Sequence, residues 1–523
     1  MPMPVPPMKW NTWGDPALAT PLSDEVKALL KNVLGVSAAD VDAPARGEVQ
    51  LRTSTLTEPD QHALAAVVGA EHVSTRDADR LPHAGGKSTL DLLGRRSREP
   101  QDAPDAVVMP RTEDEITAVL HVCAGRGIAV VPFGGGTSVV GGVQPIRGVF
   151  HAVIALDLCR LTRFDLDEVS LEATLGAGLA GPRAEELLAE RGYELGHYPQ
   201  SFQFATIGGF AATRSSGHAS SGYGRFDEMV TGLSVVTPAG VLDLGRAPRS
   251  AAGPDLRQLF LGSEGVFGVI TAVRARVHPI PAVRQYEAWI FPDFATGSAA
   301  VRAVVQEGTG PTVLRVSDEA ETGITFVLAG QPGSGCLAVA TFEGSPDQVA
   351  ARHEATRAVL TGAGGTSRGA DLARAWERGR FDAPYLRDAL LANGALCETL
   401  ETATTWANLA ALKDAVTQAL QAALGTSLVM CHISHVYPTG ASLYFTVVAA
   451  LGDNPISRWT AAKRAASEAV IAHDGTITHH HAVGVDHRSW MAQEVGELGV
   501  RILRAVKQTV DPAGILNPGK LIP

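Results

Sequence analysis

Three adjacent histidines, His479, His480 and His481, are the side chains of this 523-residue chain best suited to moving protons near neutral pH. Two arginines, Arg315 and Arg387, are suited to holding an anion. The histidines follow the turn His473-Asp474-Gly475 and a short predicted strand, which puts them at a strand end. Neighbouring residues on a strand point to opposite faces, so at most alternate members of the run could share a metal ion, and no metal is expected. Each arginine follows a short apolar stretch, Val313-Leu314 or Ala383-Pro384-Tyr385-Leu386, and is expected to project from an element's end into a cleft. There a fixed guanidinium can bind phosphate or carboxylate through two parallel hydrogen bonds. The structural alternatives are a solvated loop for the histidines and ion pairs for the arginines. Tyr444, in an apolar strand spanning 441–450, reads equally well as a packed core tyrosine.

A second chemistry lies in the glycines, 55 in all or roughly 10% of residues against an average of about 7%. Pro132-Phe133-Gly134-Gly135-Gly136-Thr137-Ser138 directly follows a predicted strand, and small residues there let backbone N–H groups converge on a diphosphate. No lysine follows, and the glycine spacing is not that of a Rossmann turn, so ATP and ordinary NAD binding are unsupported. Taken alone, three glycines are more often a tight turn. Two further Gly/Ser/Thr-rich stretches follow, at 200–217 and 262–271.

These residues sit in an irregular alternation of elements. A helix over 21–35 is capped by Ser23 and stopped by Gly35. From Asp105 the texture becomes strand, helix from Thr112 to Gly125 or Gly127, then the strand Ile128-Ala129-Val130-Val131-Pro132-Phe133. Further strands, a helix at 181–192, a hairpin turning at Pro238-Ala239-Gly240 and a strand ending in proline complete this block. The fold class is α+β. The expected division is an N-terminal helical segment (1–99), a cofactor domain (100–280), an α+β cap domain (281–470) and a C-terminal return (471–523).

Hydrophobic residues make up 45% and charged residues 19%, which excludes a mainly disordered chain. The net charge of −11 argues against a nucleic-acid partner. Five dispersed cysteines without C-x-x-C spacing read as reduced thiols in a cytoplasmic protein. No secretory signal, no apolar run of about 18 residues and no C-terminal peroxisomal tripeptide is found.

In order and separation, the three glycine-rich segments resemble the FAD-binding half of the vanillyl-alcohol oxidase / p-cresol methylhydroxylase superfamily. Within it the chain resembles the alkyldihydroxyacetonephosphate synthase family over nearly its whole length. The resemblance rests on Met8-Lys9-Trp10-Asn11 with Trp13-Gly14, the loop at 132–138, Glu264-Gly265-Val266-Phe267-Gly268-Val269-Ile270, Ala383 to Asp388, Ser442-Leu443-Tyr444-Phe445 and the histidine run. It implies a two-subdomain FAD-binding fold of the p-cresol methylhydroxylase type with an inserted cap and a C-terminal return. It further implies FAD contacts from Pro132, Phe133, Gly134, Gly135, Gly136, Thr137 and Ser138; from Gln200, Ser201, Phe202, Gln203, Phe204, Ala205 and Thr206; from Thr213, Arg214, Ser215 and Ser216; and from Glu264 to Ile270. Thr137 stands where many superfamily members carry the histidine that bonds the flavin, so the FAD is expected to be non-covalent.

The resemblance assigns Tyr444 as acid/base, His479, His480 and His481 as its assistants in the site, and Arg387 and Arg315 as substrate-binding residues. The implied reaction exchanges the acyl group of acyl-dihydroxyacetone phosphate for a long-chain alcohol through an adduct at flavin N5, a step of ether lipid synthesis. The substrate is then a small molecule or lipid; transient contact with a membrane surface and a homodimer are compatible with it. Gln200, Cys431-His432, Ala482 and Val485-Asp486 depart from the family pattern and leave the exact substrate open. Two rivals remain: an FAD-linked oxidase or dehydrogenase of a 2-hydroxy acid or alcohol, and a non-catalytic protein that keeps the fold for binding.

Overall fold

A computed structural model describes residues 6, 8–36, 48–97, 99–328, 330 and 332–523. Part of the N-terminal stretch read as lacking a secretory signal, residues 1–5 and 7, lies outside the described residues.

The cofactor half begins with a strand–helix–strand unit whose boundaries follow from capping. Helix Glu113–Arg126 starts at Thr112, whose hydroxyl accepts from the N–H of Glu115, carries three acidic residues in its first turn and stops at left-handed Gly127. Strand Ile128–Phe133 is an unbroken apolar run, as a strand covered on both faces requires. It lies parallel to Ala152–Asp157, which is parallel to Ala106–Val108; the short strand Val73–Ser74 closes the four-stranded sheet. The C-terminus returns to this sheet: the Val130 N–H donates to the Ile515 carbonyl and the Asn517 N–H donates back to Val130.

A five-stranded antiparallel sheet packs beside it in the order Phe164–Asp167, Glu172–Gly176, Val269–Arg276, Val230–Thr237, Gly240–Leu244. The last two form the expected hairpin. The loop after Phe133 lies against Thr206, the residue that caps helix Ile207–Thr213.

The remainder is dominated by a seven-stranded antiparallel sheet, ordered Thr366–Gly369, Val283–Phe291, Cys336–Gly344, Val313–Ser317, Ser427–Val436, Gly440–Ala450, Ala395–Thr405. Its sequence alternates with period two. Leu314, Val316, Cys431, Ile433, Leu443, Phe445, Val447 and Leu400 point to one face, where helices Leu409–Leu424 and Pro455–Ala472 cover them. The opposite face carries Arg315, His432, Tyr444 and Glu401 and looks toward the cofactor half. The N-terminal helix Asp24–Leu34 packs on this second face too, burying Leu30 and Leu34 against Leu390, Met430 and Val448.

Candidate active site

Between the seven-stranded sheet and the cofactor half lies a cavity of about 820 Å³. The size is that of a ligand or cofactor site. One wall is the loop Pro132 to Ser138. None of the backbone N–H groups from Gly134 to Ser138 has an acceptor among the described residues, which leaves a row of donors free for an anion. Crowding dictates the glycines. A Cβ on Gly135 would overlap the Phe204 carbonyl, one on Gly134 the Thr206 hydroxyl, and Gly136 has φ +64°.

Gln200, Ser201, Ala205, Thr206, Thr213, Ser215, Ser216, Glu264, Gly265, Gly268 and Ile270 also line this cavity. Phe202, Gln203, Phe204, Arg214, Val266, Phe267 and Val269 do not reach its wall. Phe204 packs edge-on against Trp13 at 5.5 Å, and Phe202 sits between Tyr198 and Phe381. Arg214 turns outward in a left-handed conformation to hydrogen-bond the Leu261 and Gln258 carbonyls. Val266 and Phe267 are buried in the core of the five-stranded sheet and Val269 in that of the four-stranded sheet.

The donor set fits FAD. Besides the free loop N–H groups, Gln200 Nε2 and His218 Nδ1 are buried at the cavity without hydrogen-bond partners. Glu264 ties the loop to the C-terminal return by accepting the N–H groups of Val483 and Gly484, and burial pushes its carboxyl up to about 7 against those two bonds.

Opposite this wall the strand registers build a polar row. His432 pairs with Tyr444, and Tyr444 with Glu401 on its other side. The Tyr444 and His432 rings stack at 4.9 Å and 18°. Arg315 Nη1 lies 3.1 Å from His432 Nε2, and His432 Nδ1 lies 2.8 Å from Glu321. Arg315 Nη2 lies 3.0 Å from His432 Nδ1 as well, so both ring nitrogens face the guanidinium while Nδ1 also faces Glu321. Burial and then Arg315 lower its pKa, against the pull of Glu321. Glu321 also pairs with Arg315; burial opposes its ionisation, but His432 and Arg315 prevail and hold its carboxyl at about 2.

The histidine run is not at a strand end. Residues 475–483 form an irregular loop, and Glu401 holds it: one carboxylate accepts the N–H groups of His479 at 2.6 Å, His480 at 3.1 Å and His481 at 2.8 Å, and the Thr478 hydroxyl. Loop geometry also overturns the strict alternation expected of the run. The His479 and His480 Nδ1 atoms are 3.0 Å apart, and with His435 they form a cluster whose nitrogens lie within 4.8 Å of one another, close enough to hold a divalent ion. His480 and His481 line the cavity, whereas His479 sits behind them, 2.7 Å from the Tyr437 hydroxyl. Burial lowers the pKa of all three, that of His481 to about 3. Burial likewise raises the Tyr444 phenol to about 12.

Neither arginine stands at an element's end. Arg315 is the middle residue of strand Val313–Ser317, and Arg387 lies inside helix Ala383–Ala392. Both line the cavity, yet both are engaged. Arg387 Nη1 donates to the Lys87 carbonyl at 2.6 Å, and its Nε and Nη2 both reach Asp388. The Asp388 carboxylate in turn accepts from the Trp13 N–H, and Lys87 Nζ donates to the carbonyls of Lys9 and Thr12. Burial and then Arg95 lower the Lys87 pKa to about 6. The N-terminal segment from Met8 to Gly14 is therefore held by Lys87 and by helix Ala383–Ala392.

Beyond the polar row the wall is apolar: Val26, Leu29, Leu30 and Val33 from helix Asp24–Leu34, Ile324, Val327 and Leu328 from helix Glu319–Leu328, and Leu390, Met430 and Val448.

The chain is 31% identical to an alkyldihydroxyacetonephosphate synthase of Trypanosoma brucei brucei across 99% of this chain and 92% of that protein. The chain belongs to the alkyldihydroxyacetonephosphate synthase family. A solved alkyldihydroxyacetonephosphate synthase structure superposes with a TM-score of 0.84 at 26% identity, covering 98% of both chains. Residues 104–245 match the family described as FAD binding domain, and residues 280–521 the one described as FAD linked oxidases, C-terminal domain. The fold is shared with p-cresol methylhydroxylase, with a TM-score of 0.71 at 15% identity over 90% of this chain and 98% of that one. This synthase-family chain is thus an FAD enzyme of the p-cresol methylhydroxylase type, as its glycine loops imply. Sequence reasoning missed Glu401, Glu321 and His435. The signal for Glu401 was a pair of carboxylates, Glu398 and Glu401, in a strand with no other charged residue. His432 and His435 both line the cavity because the strand gains an extra residue between Ile433 and Val436.

Proposed function

We propose that this protein exchanges the acyl group of acyl-dihydroxyacetone phosphate for a long-chain alcohol, yielding the alkyl ether and one free fatty acid without net oxidation. The observation that carries this reading is the joining, in one cavity, of the polar row around Tyr444 to a long apolar wall suited to an aliphatic chain. The exposed side chains of Val33, Val327 and Leu328 at its rim fit transient contact with a lipid surface.

FAD, which the loop Pro132 to Ser138 would hold without a covalent bond, would supply an electron-accepting ring. The residues of this chain move the protons. His480 and His481, kept neutral by burial, have lone pairs to accept a proton from the carbon next to the ketone and return it to that carbon once the ether bond has formed. Tyr444, protonated throughout the physiological range, donates from Oη to the departing carboxylate and recovers a proton from the incoming alcohol. Glu401 fixes the histidine loop, and the Glu321–Arg315–His432 chain fixes the ring against which Tyr444 stacks. The apolar wall excludes water and so protects the ester from simple hydrolysis.

A second reading, an FAD-linked oxidase or dehydrogenase of a 2-hydroxy acid or alcohol, rests on the FAD linked oxidases description matched by residues 280–521. Histidines and arginines serve hydride removal as well. Incubation with palmitoyl-dihydroxyacetone phosphate and hexadecanol, beside lactate and glycolate, separates the two. Ether formation with the flavin oxidised once the substrate is spent supports the exchange, and bleaching by a hydroxy acid without ether formation supports the oxidase.

A further inference from the structure

We propose that His435, His479 and His480 form a binding site for a zinc-type divalent ion, and that an ion held there stops turnover by taking the lone pair of His480. The site stands on the side chains alone; its effect on turnover rests on the exchange reading above.

One ring nitrogen from each of the three histidines lies within 4.8 Å of the other two. Zinc holds imidazole nitrogens at about 2.0 to 2.1 Å, so two nitrogens on one tetrahedral ion are about 3.4 Å apart. The Nδ1 atoms of His479 and His480, at 3.0 Å, already come close to that separation. From 4.8 Å, His435 has at most about 1.4 Å to close. It sits where its strand bulges between Ile433 and Val436, a place where strands re-aim their side chains.

The ring nitrogens are prepared for an ion. Two facing Nδ1 atoms at 3.0 Å have room for one hydrogen between them, so at least one presents a lone pair to the cluster. The Tyr437 hydroxyl, 2.7 Å from His479 Nε2, fixes that ring with Nδ1 turned inward, as outer partners of ligating imidazoles do. The bond from His435 Nδ1 to the Ser216 hydroxyl is longer, 3.3 Å, and leaves this ring the freedom to close the gap. Glu401 meets the charge of the ion. Its carboxylate is fully buried, accepts three N–H groups of the histidine loop and lies 3.5 Å from His480 Nδ1. A buried cation without such a counter-charge would be costly. Three imidazoles without a carboxylate oxygen in the cluster favour zinc, nickel or copper over calcium or magnesium. His435 and His480 also line the cavity, so the fourth position of the ion opens to water on that side.

The effect on turnover follows from the imidazole. A His480 ring that gives Nδ1 to the ion carries its hydrogen on Nε2 and has no lone pair left for a proton from the substrate. The His481 ring is 4.9 Å from that of His480, and a dication so near opposes its protonation as well.

The test strips the FAD-loaded protein of metal with a chelator, removes the chelator, and titrates with zinc sulfate by calorimetry and with cobalt chloride by absorption beyond the flavin band. Wild type is expected to bind one ion per chain and to show the absorption of four-coordinate cobalt. Tyr437→Phe, which removes an outer partner only, is expected to weaken zinc binding by about 10-fold, and His435→Gln, which removes a ligand, by about 100-fold or more. The phenylalanine variant keeps the ring and gives a second reading should the glutamine variant fold poorly. His121→Gln, exposed on helix Glu113–Arg126, is the control and should bind as wild type does. In the exchange assay zinc is expected to lower wild-type turnover by about 10²-fold, the usual worth of a positioned base, with recovery on adding chelator and flavin content unchanged. Zinc binding as tight in both site variants as in wild type overturns the proposal, as does a wild type that binds no ion or that turns over undiminished with the ion bound. Zinc binding that depends on His435, in a protein that forms no ether even when free of metal, upholds the metal site and defeats the exchange reading instead.

Discussion

Tyr444 stands directly across from His432 on the neighbouring strand, their rings 4.9 Å apart and 18° from parallel. Because side chains alternate along a strand, a slip of one residue would send Tyr444 into the helix-covered core and bring Phe445 into the cavity. The apolar partners of Phe445 on that covered face fix the register, and the register in turn fixes the proposed acid.

Tyr444→Phe removes the donor and keeps the stacking surface. Turnover is expected to fall by about 10²- to 10⁴-fold, the usual worth of a positioned acid or base, with FAD content unchanged. Steady-state kinetics beside the flavin-to-protein absorbance ratio reads both quantities.

Glu401→Gln replaces a carboxylate that accepts three successive backbone N–H groups by an amide with one acceptor oxygen. The histidine loop loses its anchor. Turnover is expected to drop by about 10- to 100-fold through lost hydrogen bonds to a charged group, and proton exchange at the amides of residues 479–481 should accelerate.

Glu321 predicts an acid-dependent loss of stability. Its carboxyl sits at about 2 when folded, against an ordinary 4.5, because His432 and Arg315 outweigh burial. The stabilisation it contributes is complete above about 4.5 and is lost as pH falls from there toward 2. Glu321→Gln leaves Arg315 unpaired and should cost about 3 to 5 kcal/mol at pH 7. Denaturant melts at a series of pH values should show the gap between variant and wild type closing below about pH 4.

Gly135→Ala places a methyl group on the Phe204 carbonyl, backbone against backbone, where no side chain can swing aside. The purified variant should carry little or no flavin. Gly362→Ala, at a position with open space around it, serves as the control and should stay yellow.

Much of this architecture is legible in the sequence where local signals suffice. Thr112 and Gly127 bound their helix, the apolar run Ile128–Phe133 is a buried strand, and the glycine loop follows it. Motifs read as continuous cofactor contacts break up in three dimensions. Arg214, Val266, Phe267 and Val269 share segments with cavity residues, but their side chains point elsewhere, a distinction that contiguous sequence does not carry. The histidine loop was hidden for a different reason. Its N–H groups are satisfied by Glu401, 78 residues before His479, so no local pattern announces that it is not a strand. The commitments of Arg315 and Arg387 to Glu321 and Asp388 are likewise visible only once the chain has folded.

The exchange reaction itself is tested most directly with hexadecanol carrying ¹⁸O, incubated anaerobically with palmitoyl-dihydroxyacetone phosphate and the holoenzyme. Mass spectrometry should find the label retained in the ether product and one palmitate released per ether formed, and the flavin spectrum should be that of the oxidised form once the substrate is spent. A reduced flavin with no labelled ether would contradict the account.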